Sequence, residues 1–378
     1  MEPLNHLKML SSQMHLEPAE DALCPQHDRM EEVYLSKAVL PNGQRIDLLK
    51  TLLTSVCERD CYYCPFRVGR DFRRATLKPD VMASLFMEIH RASAVDGIFL
   101  SSGIVAGGLY TQDKIIATAE ILRHKLGYQG YMHLKIMPGA EREQVVRTMQ
   151  LADRVSVNLE APNTKRLAKL APHKGFTQEL IQPLRWANEI RQKSSPQDAW
   201  KGRWPSSVTQ FVVGGSGETD LELLSTTDYL YRQLRLSRTY FSPFSPVEDT
   251  PLENLNPTPV VRQHRLYQSS YLLRDYGFDL EELPFDLTGN LPTNIDPKLA
   301  WANTNLSEQP IDLNFADRRD LLRVPGIGPK SANAILRARR TSRLLEIGDL
   351  SKIGVNPRRA APFILLDGRR PSYQMTLL

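Results

Sequence analysis

The chain reads as α/β, an incomplete (β/α)6 barrel followed by a small all-α domain, and three observations predict it. Apolar runs of strand length alternate with helix-patterned segments, the pattern of parallel βα units. Beyond residue 256 the composition turns helical, and a glycine-punctuated helical pair centres on Gly326. The charge also separates: residues 318–378 carry 13 Lys and Arg against 4 Asp and Glu, whereas everything before them carries 35 against 39. A basic block on an otherwise slightly acidic chain is an electrostatic footprint for a polyanion. At 378 residues the chain can hold one large and one small domain.

The expected divisions are an N-terminal extension over 1–45, the barrel over 46–255, a helical connector over 256–305 and the small basic domain over 306–378. The strands are expected at 46–54, 97–100, 131–136, 154–159, 208–213 and 239–241. Segments 81–92, 111–126, 141–151 and 179–191 carry apolar residues at helical spacing between them. In barrels of this kind the chemistry sits at the carboxyl ends of the strands.

Directly after the first strand come Cys57, Cys61 and Cys64, spaced C-x3-C-x2-C with Tyr63 before the last. Thiolates at this spacing can converge from one short loop on three irons of a cubane and leave the fourth iron open. The other readings are structural zinc or plain loop thiols; zinc normally takes four protein ligands in pairs, and no second pair occurs in the chain. Only Cys24 lies outside the motif, so a disulfide framework is excluded and a reducing compartment is expected. The first residues lack the basic start and apolar stretch of a signal peptide, and no run approaches membrane-spanning length. A cytoplasmic or nucleoid-associated protein with no membrane partner is expected.

At Cys57, Cys61, Tyr63 and Cys64 the chain resembles the radical S-adenosylmethionine (radical SAM) superfamily, whose signature is C-x3-C-x-aromatic-C. The resemblance implies a [4Fe–4S] cluster held by the three cysteines. It also implies S-adenosyl-L-methionine bound to the open iron through its amino and carboxylate groups, and one-electron cleavage to methionine and a 5′-deoxyadenosyl radical. Chemistry by hydrogen-atom abstraction follows, as does an electron donor such as flavodoxin or ferredoxin.

The later strand ends are read against that resemblance. Ser101, Ser102 and Gly103 stand where the family carries a Gly-Gly-Glu-like motif for the substrate's amino group. They depart from it, so hydroxyls and backbone carbonyls would serve instead; a plain βα turn is the alternative. Ser156, Asn158 and Glu160 share one face by period-two alternation. Facing inward they suit a ribose and the surroundings of the methionine carboxylate, or else form a buried polar group satisfied by neighbours. Lys135 is a second candidate for a charge facing the pocket. Gly214 and Gly215, in a segment ending at Glu218, resemble the family's glycine-rich turn, where a bare backbone lets adenine approach.

In the connector, Arg262, Arg265 and Arg274 interleave with Tyr267, Tyr271 and Tyr276. They either clamp nucleic acid or belong to a packed helix with snorkelling arginines. Further on, residues 321–335 resemble a helix-hairpin-helix element. Gly326 and Gly328 permit the tight turn, Ile327 plugs the space between the helices, and Pro329 opens the second helix. Backbone N–H groups there, with Lys330 and Ser331, would meet a phosphate, and Arg337, Arg339 and Arg340 add charge. A hairpin used for protein contacts is the alternative. A degenerate copy at 353–360 has Asn356, tolerant of left-handed backbone, in place of Gly328, and Pro362 shortens its second helix.

Cluster loop and hairpin together resemble radical SAM proteins with a C-terminal helix-hairpin-helix, described as DNA modification or repair proteins. That resemblance implies DNA as the nucleic-acid partner and a DNA-repair protein as a further one. An RNA (tRNA) base-modifying enzyme and a non-catalytic iron–sulfur DNA-binding or sensing protein are the alternatives. With no cysteine after Cys64 there is no downstream auxiliary cluster or hydrogen-donor thiol; Cys24, Tyr62, Tyr110 and Tyr240 are the candidates left. Cys24 and His27 sit in an extension read only as a cap.

Overall fold

The computed structural model describes residues 2–12, 14, 21–22, 35–40 and 43–372, so Cys24 and His27 lie outside the described residues. It divides into two compact units, Met1–Glu218 with Tyr229–Pro259, and Thr219–Asp228 with Val260–Leu378.

In the first unit, β3 (Arg45–Leu52), β4 (Gly97–Ser101), β5 (Tyr131–Lys135), β6 (Arg154–Ser156), β7 (Ser206–Val213) and β8 (Arg238–Pro243) pair in parallel in chain order. The helices α2 (Pro79–Arg91), α3 (Gly107–Glu120), α4 (Arg142–Leu151), α5 (Thr164–Leu170) and α6 (Gln182–Lys193) fall between them, and α7 (Asp220–Leu234), whose residues up to Asp228 are assigned to the second unit, leads into β8. A helix across each parallel connection leaves the strands covered, so β4 is buried at every position and β7 at all but the first. The six-stranded α/β half-barrel agrees with the sequence reading.

Two differences from that reading have physical causes. Helix α1 (Pro3–Ser12) and two antiparallel strands, β1 (Asp21–Ala22) and β2 (Leu35–Val39), precede β3 and extend the sheet at its edge to eight strands. In β2 only Ala38 is buried, so an edge strand of this kind carries no apolar run to announce it. Strand β6 also stops at Ser156 rather than at 159, and only a lone parallel bridge, Glu160 to Phe211, continues the pairing. Glu160 has φ +64°, in the left-handed region that a non-glycine residue enters only when its surroundings hold it there.

The second unit is mainly helical: α8 (Val260–Asp275), α9 (Pro297–Asn305), α10 (Arg318–Arg323), α11 (Pro329–Ala338), α12 (Ile347–Lys352) and α13 (Pro357–Ala360), with a short parallel pair, β9 (Ile311–Asp312) and β10 (Ile364–Leu365). Its core gathers Leu313, Leu321, Val324, Ile327, Ile335, Leu350, Val355 and Phe363. Arg323, 4% exposed, lies 3.8 Å from the Phe278 ring centre and pairs with Glu282 at 2.7 Å, so this cation holds the fold together. The connector arginines are likewise engaged, Arg262 with Asp220 at 2.7 Å, Arg265 with the Thr293 carbonyl and Arg274 with Asp275 at 2.9 Å. Those contacts favour the packed-helix reading of that segment. No helix among the described residues is long and apolar enough to cross a membrane.

Ile327, 1% exposed, is a plug between helices, whereas Lys330 is exposed. Ile327→Ala is therefore expected to lower unfolding stability by about 2–5 kcal/mol. Lys330→Ala should change it by no more than about 0.5 kcal/mol, both read by chemical denaturation.

Candidate functional site

The loop between β3 and α2 carries the three cysteines and is fixed by backbone contacts on several sides. Gly103 lies so close beneath it that a Cβ there would sit 2.2 Å from the Val56 carbonyl oxygen, so only glycine fits. The Gly103 N–H donates to Thr54 at 2.7 Å and the Glu58 N–H donates to Ile104 at 2.8 Å, tying the loop to the end of β4. From within, the Arg74 guanidinium donates to the carbonyls of Ser55, Phe66, Arg67 and Arg70. On the far side Arg59 pairs with Glu179 at 2.7 Å and donates to the His173 carbonyl, while Asp60 meets His173 at 2.7 Å. Glu179 comes from a π-helical turn, Phe176–Ile181, that also accepts from the Gly175 N–H.

Cys57, Cys61 and Cys64 are free thiols lining one cavity at the carboxyl ends of the strands. Two of the sulfurs already accept backbone N–H groups at 3.4 Å, Cys57 from Ile104 and Cys64 from Phe66. Among the described residues no three His, Cys, Asp or Glu side chains converge tightly enough to share one metal ion, whereas a cubane takes each thiolate on a different iron. Burial pushes the Cys61 thiol up, partly offset by Lys174; burial and then Cys61 push Cys64 up.

The same cavity holds Tyr63, Ser101, Ser102, Gly103, Lys135, Asn158 and Glu160, with Lys174 and Gln210 between them. Glu160 pairs with Lys174 at 3.1 Å, both side chains under a tenth exposed. Burial alone would raise the Glu160 carboxyl, but Lys174 and then Lys135 hold it below its ordinary range. Burial alone would likewise lower the Lys174 ammonium; Cys61 and Glu160 raise it instead. Tyr63 is driven well above its usual range, first by burial and then by the neighbouring Glu160. Glu160 Oε2 is buried without a hydrogen-bond partner among the described residues, an acceptor that a ligand hydroxyl would satisfy, whereas Ser156, on the same strand, does not line the cavity.

In the second unit, α10 and α11 flank the turn Val324–Gly328. Gly326 has φ +84°, and a Cβ there would stand 3.0 Å from that of Arg359, so both backbone and space demand glycine. Gly328 is extended at φ −105°, and the constraint there is the Tyr276 hydroxyl, 3.2 Å from where a Cβ would stand. In the second copy Gly354, at φ +77°, takes the left-handed position, while Asn356 at φ −76° uses its side chain to accept from the Arg358 N–H. The first copy differs: its N-cap, Gly328, offers no side-chain acceptor, so the first-turn N–H groups of α11 stay available beside exposed Lys330. Lys298 donates to the Ile327 carbonyl at 2.6 Å, and burial pulls its ammonium down to about 7. Arg339 donates to the carbonyls of Leu313 and Ala316 and so is engaged within the unit.

Residues 51–230 match the radical SAM superfamily, and residues 310–338 match the helix-hairpin-helix motif. The chain carries a radical SAM domain and a helix-hairpin-helix motif. No curated protein matches at a significant level. Among solved structures it is similar to methylornithine synthase, 13% identical over 60% of this chain and 61% of that one, with a TM-score of 0.47. It is also similar to the FeFe-hydrogenase maturase HydG from Carboxydothermus hydrogenoformans, 13% identical over 60% and 51% of the two chains, with a TM-score of 0.46. A third is the radical SAM methyltransferase TsrM from Kitasatospora setae, 13% identical over 58% and 39%, with a TM-score of 0.41. The chain spans less than two thirds of each of these proteins.

Radical SAM proteins are enzymes that use a [4Fe–4S] cluster and S-adenosylmethionine, and the cavity's donor set fits both: three free thiols, a buried carboxylate with an unused acceptor, Lys174 paired with it, and Lys135 in the same lining. Of the residues singled out in the sequence, Gly214, Gly215 and Glu218 do not line the radical SAM cavity. The Glu218 carboxylate closes its own turn, accepting from the Gly214 N–H and from Ser216, and Gly215 makes room for Leu170 and Phe244. Tyr62, Tyr110 and Tyr240 lie outside the lining as well. Sequence reasoning missed Lys174 and Gln210. Gln210 faces Asn158 at 3.4 Å and sits on β7 in a run whose alternation could have marked it; Lys174 lies in a loop with no periodicity.

Removing Lys174 strands Glu160 as a buried charge, so Lys174→Met is expected to cost about 3–5 kcal/mol, most of it recovered in the double variant with Glu160→Gln. Because its folded pKa is depressed, Glu160 contributes stability above its ordinary value of 4.5 that is lost as pH falls through the lower folded value. Thermal melts against pH should show this acid limb in the wild type and not in the double variant.

Proposed function

We propose that the protein is a radical SAM enzyme that modifies or repairs DNA. What supports the reading is one chain that carries both a barrel cavity lined by three free thiols and an uncapped glycine hairpin in a basic segment. Cys57, Cys61 and Cys64 would hold the [4Fe–4S] cluster. With S-adenosylmethionine bound there, the group supplies a 5′-deoxyadenosyl radical that can take a hydrogen atom from a substrate carbon.

The chain's own residues do the rest. Glu160 and Asn158 would orient ribose hydroxyls, and Ser101 and Ser102 would receive the amino group. Lys174 would neutralise a carboxylate while its pairing with Glu160 keeps both charges tolerable inside the barrel. Tyr63, with its phenol held protonated, closes one wall. Gly214, Gly215 and Glu218 would act indirectly, through a turn in which Gly215 packs against Phe244 of the cavity lining. In the second unit, the first-turn N–H groups of α11 beyond Pro329, those of Lys330 and Ser331, together with their side chains, would grip a phosphate without reading sequence. An electron donor such as flavodoxin or ferredoxin supplies the reducing equivalent, and a DNA-repair protein is a further partner.

The test is anaerobic: reconstitute with iron and sulfide, reduce, add S-adenosylmethionine, and quantify 5′-deoxyadenosine with duplex DNA, with tRNA and with neither. Cleavage that disappears in Cys61→Ala and rises with DNA supports the reading; a rise confined to tRNA would move the substrate to RNA, and a reducible cluster without cleavage would argue for a sensing protein. Gly326→Val should lower DNA affinity about equally for all sequences, measured by anisotropy on unrelated duplexes.

A further inference from the structure

The segment that leaves Cys64 is more basic than a connection to a helix requires. From residue 67 to 78 it holds Arg67, Arg70, Arg73, Arg74 and Lys78 against Asp71 alone. Pro65 and Phe66, at its start, line the cysteine cavity, so the segment forms part of the cavity's rim. Arg74 is committed inward to four carbonyls and lies 4.2 Å from the Phe72 ring centre, which fixes the rim's shape.

Two neighbours are less committed. Arg70 lies 5.4 Å from the centre of the same Phe72 ring and, among the described residues, donates its Nε and Nη1 to the carbonyls of Glu248 and Pro65. Arg67 lies 5.6 Å from the Tyr62 ring centre, and its Nε has no hydrogen-bond partner among the described residues. Neither guanidinium pairs with a carboxylate there. The acids of the cysteine loop are spoken for, Glu58 by the Gly107 N–H and Asp60 by His173, which leaves Asp71, Glu248 and Asp249 as the exposed carboxylates nearest the rim.

A guanidinium beside an aromatic ring is held at low entropic cost, and the terminal Nη2 donors of Arg70, whose Nε and Nη1 hold carbonyls, stay clear for a phosphate. Arginines interleaved with aromatic rings also suit single-stranded nucleic acid, whose backbone they track while its bases stack. An acidic electron-donor protein could meet the same charge, but these arginines follow directly on Pro65 and Phe66, which line the cavity that a substrate must enter.

We propose that the catalytic unit itself grips nucleic acid, Arg67 and Arg70 each taking a backbone phosphate of an unpaired segment whose reacting nucleotide enters the cysteine cavity. The proposal rests on the nucleic-acid reading of function and narrows it to a strand that is single-stranded, or opened, at the site.

The test measures binding of fluorescent oligothymidine to the full chain against salt concentration, for wild type, Arg67→Glu and the double variant Arg67→Gln with Arg70→Gln. The Arg67 bonds to the Cys64 carbonyl and from Arg74 are made by its backbone, which a side-chain change keeps; iron incorporation and circular dichroism check the fold of both variants. The expected result is weaker binding in both, with the slope of log affinity against log salt flatter by roughly 1.4 in the double variant, about 0.7 for each lost contact on a single strand. Wild-type binding with unchanged affinity and slope in both variants would overturn the proposal, as would unchanged binding with slower cluster reduction by flavodoxin, which would assign the rim to the electron donor. A wild type that binds neither oligothymidine nor duplex DNA would instead bring down the nucleic-acid reading beneath it.

Discussion

The buried pair of Glu160 and Lys174 is the interaction on which the cavity depends. Two charges under a tenth exposed persist only if each satisfies the other, so their 3.1 Å contact fixes where the chain on both sides must run. On one side it holds Glu160 in a left-handed backbone and ends β6, turning Asn158 and Glu160 into the barrel. On the other it draws in the loop after α5, from which His173 and the following π-helical turn reach the cysteine loop through Asp60 and Arg59. The thiols are thus positioned by a chain of polar contacts that starts at the ion pair, with Gly103 and Arg74 closing the loop from the other sides.

A different constraint governs the second unit, where packing fixes the hairpin and leaves its donors free. Ile327 is buried between helices, Lys298 caps its carbonyl, and the glycines on either side yield to Arg359 and Tyr276. The first-turn N–H groups of α11 then have no side-chain acceptor of their own, whereas Asn356 supplies one in the second copy. The two copies share a turn and differ in whether it is left open to an anion.

Much of this was legible in the sequence for reasons that also explain what was not. Parallel strands covered by helices must be apolar throughout, so β4 and β7 stand out as runs, whereas β2, with one buried residue, carries no signal. The cysteines declare themselves by spacing, and Asn158 and Glu160 by period-two alternation. Lys174 could not be found that way, because a lysine in an irregular loop is ordinarily solvated and its burial is decided by a partner fourteen residues earlier. Glu218 misled in the opposite sense: a glycine-rich turn has the same composition whether its carboxylate meets a ligand or, as here, its own backbone.

The central claim is that a radical formed in this cavity takes hydrogen from nucleic acid. Incubating the reduced, reconstituted protein with S-adenosylmethionine and fully deuterated DNA, then measuring deuterium in the 5′-deoxyadenosine released, tests it directly. Deuterium transferred from the DNA, and lost in Cys61→Ala, is the expected result. Abundant 5′-deoxyadenosine carrying no deuterium in the presence of bound DNA would contradict the claim.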